Sequence, residues 1–511
     1  MATKDTGDAA WLPSIAIGCA TGLLIHLALG NRVIPNADEG IYLQGGVDVL
    51  RSAVPYRDFF AITGPGSFWL VAAMFRIAGI TLRSARVLLA LDISVLVGLT
   101  YWITSRLARP LTALATSVLC AALFLSSPGN LVINHRWDSS AAMLAAIAFT
   151  LATIQSPRRT AAFFAGLFSA AAAWITPPTG LVGVVIVLRV WIDVKTRRVA
   201  VFVGAGILTG MIVPAWILAA QGGLVPMVKT LFWNASHYSA ANRVPFGHIF
   251  GGPAALFAGA HGGEWIARIL LAIAFLLPAL LPPLVAVAWL PAIRDPMRTE
   301  IFLLAAGGAA VFSSYPRWDL LHLLYVSPVF LILAAVWVGR IRRKSIAPAL
   351  FMITVLPAAI MSVHTLLVDG PELSFDSPAG HIRAAKADAA AIQMSLANIQ
   401  PADTLFVYPY EPLFYFLTQA HNPTRYLWLQ PGMMSDADER TAVSELIPHP
   451  PKWVLYRDLA PADYLRIWPG SDPTRLRMNL VEEFISANYV RFAVAPSPDG
   501  PRQLLKRRDQ P

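Results

Sequence analysis

Trp11-Leu-Pro-Ser-Ile-Ala-Ile-Gly-Cys-Ala-Thr-Gly-Leu-Leu-Ile-His-Leu-Ala-Leu-Gly30, then, after a five-residue link, Asn36-Ala37-Asp38-Glu39-Gly40-Ile41-Tyr42: this opening decides the class of the chain. The first stretch contains no Asp, Glu, Lys or Arg. It has the roughly 20 residues a helix needs to cross the hydrocarbon of a bilayer. It shows no cleavage pattern of a secretory signal and reads as an uncleaved first span. The second stretch places two carboxylates at the mouth of that span. Charges near lipid are costly, so an adjacent acidic pair there points to a function or to a helix cap.

The rest of the chain follows the first run. Of 511 residues, 56% are hydrophobic and 14% charged, with a mean hydropathy of +0.57. This composition fits a multi-span membrane protein and not an ordinary soluble domain. Long apolar runs recur at 84–104, 110–127, 139–155, 160–176, 179–192, 199–219, 266–290, 300–315, 322–339 and 346–366, which with the first makes eleven spans. A shorter run, 67–82, contains Arg76. At 1.5 Å per residue it reaches only ~24 Å and reads as an interfacial or re-entrant helix. Cys19 and Cys120 fall inside apolar runs and read as small hydrophobes, with no disulfide implied.

The net charge of +10 is unevenly spread. Residues 1–366 hold 26 basic and 13 acidic groups, and residues 367–511 hold 14 and 17. The basic excess belongs to the membrane part, so it reads as topology and not as a nucleic-acid surface. With the N-terminus in the cytoplasm, the later inner loops carry thirteen Lys/Arg and the later outer loops four. The first outer loop, 31–83, is the exception. Eleven spans place residues 367–511 outside, which in a bacterium is the periplasm.

That tail changes character at Asp369-Gly370-Pro371. Residues 379–399 and 473–488 read as helices. Residues 404–408, 425–429, 452–456 and 490–494 read as short buried strands, and Lys506-Arg507-Arg508 as a frayed end. The expected architecture is an α-helical polytopic membrane protein with a small C-terminal α/β extracytoplasmic domain. The tail has no phosphate-binding glycine fingerprint, no CxxC and no HExxH.

This topology gathers the polar chemistry on the outer face. Asp38, Glu39, Asp48, Arg57 and Asp58 belong to the first outer loop, and His135-Arg136-Trp137-Asp138 to the second. His237, Tyr238 and Arg243 lie in the long connection 220–265. Arg317-Trp318-Asp319 and His322 precede the tenth span. Asp92 is the one acid of the membrane part placed well inside a span. Each cluster also has a plain structural reading. Asn36 suits a helix cap, with Glu39 bonding back in a loose capping box. Asp138 suits the N-cap of the fourth span. Arg317 can pair with Asp319, Asp319 can bond His322 three residues on, and His237 can simply be solvated. Successive helical residues point about 100° apart, so Asp38 and Glu39 take different jobs.

Asp38-Glu39-Gly40-Ile41-Tyr42-Leu43, Val54-Pro55-Tyr56-Arg57-Asp58-Phe59-Phe60 and Gly64-Pro65-Gly66 together resemble the first outer loop of GT-C membrane glycosyltransferases. The branch they are most similar to is the bacterial one around glycosyltransferase family 39, with its protein O-mannosyltransferases and lipid A aminoarabinose transferases. Arg317-Trp318-Asp319 with His322 resembles a late-loop motif of the same proteins. Tyr408-Pro-Tyr-Glu-Pro-Leu-Phe-Tyr-Phe-Leu417 and Asn422-Pro-Thr-Arg425 look like the tail of many members. The resemblance implies a polyprenyl-phosphate-linked sugar donor, an envelope acceptor, and transfer at the outer face of the cytoplasmic membrane. By position, the reaction-centre acid is Asp38, with Glu39 beside it. Donor phosphate or sugar contacts are then expected from Arg57, Asp58, Arg136, Asp138, Arg317, Asp319 and His322, and an acceptor-side lid from His237 and Tyr238. Aminoarabinose transferases carry a Lys-Pro-Pro element where this chain reads Thr63-Gly64-Pro65, so the lysine near the donor phosphate is missing. No cofactor is demanded. Asp38 and Glu39 could hold a divalent metal, but no ligand spacing requires one. A lipid-linked-sugar transporter or flippase, or a non-catalytic envelope-assembly scaffold, would share the spans. A transporter, however, favours internal repeats and charges at depth; no repeat is evident here, and nearly all the acids are placed near the membrane surfaces.

Overall fold

The computed structural model describes residues 10–126, 128–246, 261–262, 264–340, 354, 356–360, 372–497 and 500–508. Ten of the eleven apolar runs are helical; the run 346–366 lies mostly outside the described residues. The helices begin with α1 (Trp11–Leu29), α2 (Ala37–Leu50), α3 (Gly66–Ala78) and α4 (Leu82–Leu107). They continue with α5 (Pro110–Leu125), α6 (His135–Gln155), α7 (Arg159–Ile175), α8 (Gly180–Ile192) and α9 (Ala200–Ala220). Helices Leu224–Trp233, Glu264–Trp289, Thr299–Phe312 and Leu320–Gly339 follow. Six helices are long and apolar enough to cross a bilayer, and the chain is a multi-pass membrane protein. The remaining apolar helices run from 10 to 17 residues, short of a full crossing for a straight helix. The 13 residues of α3 cover only ~20 Å.

The lipid-facing and core-facing sides separate as the solvent demands. On α1, Leu12, Ile15, Leu23 and Leu27 are exposed, while Gly18, Gly22 and Ile25 turn inward. The α4 helix is buried along most of its length, and α1, α5 and α6 all pack on it.

The tail is α/β, with secondary structure that partly departs from the expected one. Residues 379–399 are not one helix. Strands β2 (Glu372–Ser377) and β3 (Gly380–Ala385) form a hairpin, and the helix starts only at Lys386. The hairpin exists because β3 has a partner far upstream: β1 (Arg32–Val33) pairs parallel to it. A second sheet has the order β4-β5-β7-β6, from Leu405–Tyr408, Trp453–Arg457, Arg502–Arg507 and Tyr489–Ala495. Residues 502–507 are therefore an interior strand and not a frayed end, with Leu504 buried at its centre. Residues 425–429 are not a strand and bend at Arg425 and Leu427. Their backbone bonds leave the sheet: Phe60 N donates to Arg425 O at 2.8 Å and Leu429 N to Pro409 O at 2.8 Å.

Tail and first outer loop are knit together. Besides the β1–β3 pairing, Arg425 Nη2 donates to Tyr56 O at 2.7 Å and Arg51 Nη2 to Gln419 Oε1 at 3.0 Å. Phe75 stacks on Phe416 with centroids 5.7 Å apart. The tail helix Leu413–Thr418 lies on α2 at Gly40. A Cβ at position 40 would stand 2.1 Å from Leu413 N and 2.7 Å from Pro412 C, both backbone atoms. The glycine after the acidic pair is thus a contact requirement. Gly40→Ala is expected to cost about 1–3 kcal/mol, the usual range for overpacking. The check is the unfolding midpoint of the purified variant beside wild type; an unchanged midpoint would contradict this contact.

Candidate active site

Three helix starts and the tail surround a cavity of about 450 Å³. The first start is α2. Asn36 caps it by accepting from Asp38 N at 3.0 Å, which fixes Asp38 in the first turn. The second is α6. Asn134 caps it by accepting from Arg136 N at 2.9 Å and donates through Nδ2 to Asp38 Oδ2 at 3.1 Å. One asparagine therefore ends one helix and orients the acid on another. The third is Leu320–Gly339, capped by Asp319, which accepts from His322 N at 3.0 Å. Asp319 also accepts from His322 Nδ1 at 2.7 Å and Arg317 Nε at 3.1 Å. Burial works to raise the Asp319 carboxyl, but His322 and Arg317 outweigh it and hold the group below the ordinary carboxylate range.

Asp38, Arg136, Tyr238, Arg317, Asp319 and His322 all line this cavity. From the tail, Tyr410 completes the setting of Asp38, with its hydroxyl 3.4 Å from Oδ1. Burial, and then the Asp38 charge, push the Tyr410 phenol well above its ordinary value, so it stays protonated and donates. Among the described residues Asp38 has no cationic partner; both of its oxygens accept from neutral groups. Arg136 is its complement. It is buried, gives Nη1 to Ser313 O at 3.0 Å, and leaves Nε with no hydrogen-bond partner. The cavity thus contains an acid without a cation and a cation without an acid. Three helix N-termini add partial positive charge at the same place.

Five residues expected at the site lie elsewhere. Glu39 is fully buried behind α2, where Arg86 grips it through Nε at 2.7 Å and Nη2 at 2.9 Å. It also accepts from Ile133 N at 3.1 Å, so it neither closes a capping box nor shares an ion with Asp38. Arg57 and Asp58 pair with each other at 2.7 Å on the surface, and Arg57 Nη1 donates to Gln221 O. Asp138 does not cap the fourth span, because the helix starts earlier, at His135. Asp138 faces inward, bonded by Ser67 and in contact with Asp92 of α4. His237 stacks on Trp233 at 5.0 Å, in a helical turn at 234–238 that continues the helix from Leu224. Among the described residues no group of three or more His, Cys, Asp or Glu side chains is placed to hold a metal.

Asn134, His135 and Tyr410 line the cavity without having been singled out individually. His135 and Tyr410 sit inside the motifs His135-Arg136-Trp137-Asp138 and Tyr408–Leu417. Nothing local announces that Tyr410 reaches Asp38 across 372 positions.

The overall shape has solved counterparts. The chain matches ArnT from Cupriavidus metallidurans bound to undecaprenyl phosphate with a TM-score of 0.56 at 14% identity, over 96% of this chain and 97% of that one. The apo state of ArnT matches at 0.59 over the same shares, again at 14% identity. The apo oligosaccharyltransferase of Archaeoglobus fulgidus matches at 0.52 and 11% identity, over 87% of this chain and 69% of that one. The chain shares the fold of these solved structures. At these identities the likeness shows the fold and nothing about chemistry. No protein-family model and no curated protein sequence matches the chain.

Proposed function

We propose that this protein is an inverting glycosyltransferase. It moves a sugar from a polyprenyl-phosphate-linked donor to an envelope acceptor (lipid, polysaccharide or protein) at the outer face of a bacterial cytoplasmic membrane. The observation that carries the proposal is the cavity in which Asp38, free of any cation among the described residues, faces the same space as the incompletely bonded Arg136. ArnT, solved with undecaprenyl phosphate, supports the donor class through its fold. The loop charge bias supports an inner N-terminus and an outer tail.

The proposed step is a direct displacement. Asp38 accepts the proton of an acceptor hydroxyl as that oxygen attacks the anomeric carbon. The carbon–oxygen bond to the lipid phosphate breaks on the opposite face, and the phosphate leaves with the electron pair. Asn134 and Tyr410 hold the carboxylate in place without neutralising it. Arg136, Arg317 and the three helix starts receive the phosphate charge, so the chain supplies cations where the lysine of the aminoarabinose branch is missing. The walls contributed by the tail exclude water and limit donor hydrolysis.

The test is donor-product binding. Purified protein should bind undecaprenyl phosphate saturably. Arg136→Gln should weaken that binding about tenfold or more, the weight of a charge-assisted hydrogen bond. Arg317→Ala should weaken it less, because Arg317 is already committed to Asp319. No saturable binding by wild type, or equal affinity in Arg136→Gln, would sink the phosphate assignment.

A further inference from the structure

The tail side of the cavity has a second polar centre, which the transfer step above does not use. Glu411, the residue after Tyr410, accepts from Arg457 Nη1 at 3.1 Å. It also accepts from Arg502 Nε at 2.9 Å and Arg502 Nη2 at 2.6 Å. All three residues line the cavity, as do Arg466 and Trp468. Three arginines and two acids, Glu411 and Asp388, line this wall, and Arg466 is paired with Asp463 at 3.4 Å. Arg502 is only 4% exposed, yet its Nη1 has no hydrogen-bond partner. A buried guanidinium with a donor left over is costly unless something fills it. Glu411 fixes the guanidinium plane, so the spare donor is held in a set direction.

We propose that this wall is the docking site for an anionic group, a phosphate or a carboxylate, carried by the acceptor. The assignment rests on the glycosyltransferase reading and names its acceptor class. Two cationic centres divide one cavity. Arg136 and Arg317 sit at the helix starts, on the membrane side, where a lipid phosphate must remain. Arg502 and Arg457 belong to strands β7 and β5 of the tail, where they are paired across the sheet. Tyr410 joins the two centres, touching Asp38 through its hydroxyl and packing on Trp468 with centroids 5.1 Å apart. An acceptor anchored by its anion beside Glu411 then presents a hydroxyl toward Asp38, with an apolar sugar face against the aromatic pair. A bidentate guanidinium suits either anion.

The experiment uses full-length protein in detergent, with and without saturating undecaprenyl phosphate, titrated with glucose 6-phosphate, glucuronate and neutral glucose. The two charged sugars should bind the undecaprenyl-phosphate-loaded protein at least about tenfold more tightly than glucose. The double variant Glu411→Gln/Arg502→Gln, which keeps hydrogen-bonding capacity without burying a lone carboxylate, should remove that preference. It should leave undecaprenyl phosphate affinity unchanged, which also shows that the variant is folded. Arg502→Lys should restore part of the preference. Displacement of the charged sugars by undecaprenyl phosphate would overturn the proposal, because the anion would then belong to the donor site. Equal binding of glucose, or a preference surviving in the folded double variant, would overturn it as well. Charged-sugar binding without any undecaprenyl phosphate binding would instead sink the donor reading and leave the anion site standing.

Discussion

Arg86→Met should destabilise the protein by about 3–5 kcal/mol, the usual cost of stripping one partner from a buried ion pair. Arg86 and Glu39 are 1% and 0% exposed, so neither charge can turn to water. Arg86 also donates through Nη1 to Leu131 O at 2.7 Å, and Glu39 accepts from Ile133 N. The pair therefore ties α2 and α4 to the strap that leads into α6, and so holds Asp38 and Asn134 in register. The double variant Glu39→Met/Arg86→Met should recover part of the loss, because no lone charge remains. Recovery should be incomplete, since Leu131 O and Ile133 N lose their partners at roughly 1–3 kcal/mol each. Denaturant-induced unfolding of the three proteins in one detergent measures this. A single variant as stable as wild type would mean the pair is not the clamp described.

Asp38→Asn should lower transfer by about 10²–10⁴-fold, the range of a positioned general base. The substitution is nearly isosteric, and the site is only partly buried, so the fold should survive. With its oxygen toward Asn134, the amide can donate to the Tyr410 hydroxyl, so the orientation is kept and only the basicity is lost. Undecaprenyl phosphate affinity should hold or rise slightly, because a negative charge near the leaving phosphate is gone. The contrast with Arg86→Met is diagnostic: Asp38→Asn removes activity and spares stability, whereas Arg86→Met lowers stability itself. The two adjacent acids face different ways, Asp38 into the cavity and Glu39 onto Arg86, as their roughly 100° separation on a helix predicts.

The membrane class was legible because apolar runs of bilayer length are a strong one-dimensional signal. The first-loop motif carried enough information to anticipate the fold shared with the ArnT structures, and Asp38 is placed in the cavity at the start of α2. Glu39, Arg57, Asp58, Asp138 and His237 were legible as polar residues of the connections between apolar runs, but their orientation was not. Each points away because of a partner distant in sequence or a ring stack: Arg86 for Glu39, Gln221 for Arg57, Ser67 for Asp138, Trp233 for His237. The tail misled where pairing is non-local. Residues 380–385 are a strand because Arg32–Val33 lies beside them, and 502–507 is an inner strand because β5 and β6 flank it. Local propensity cannot report a partner 350 residues away. The same holds for Tyr410 and Arg502, whose roles exist only once the tail is seated on the first loop.

The most direct measurement follows a polyprenyl-phosphate sugar, labelled in the sugar, in proteoliposomes supplied with envelope extract. Wild-type protein should move the label to an acceptor and release polyprenyl phosphate, and the folded Asp38→Asn protein should not. Turnover by Asp38→Asn at the wild-type rate, or no consumption of the donor by wild type, would contradict the account.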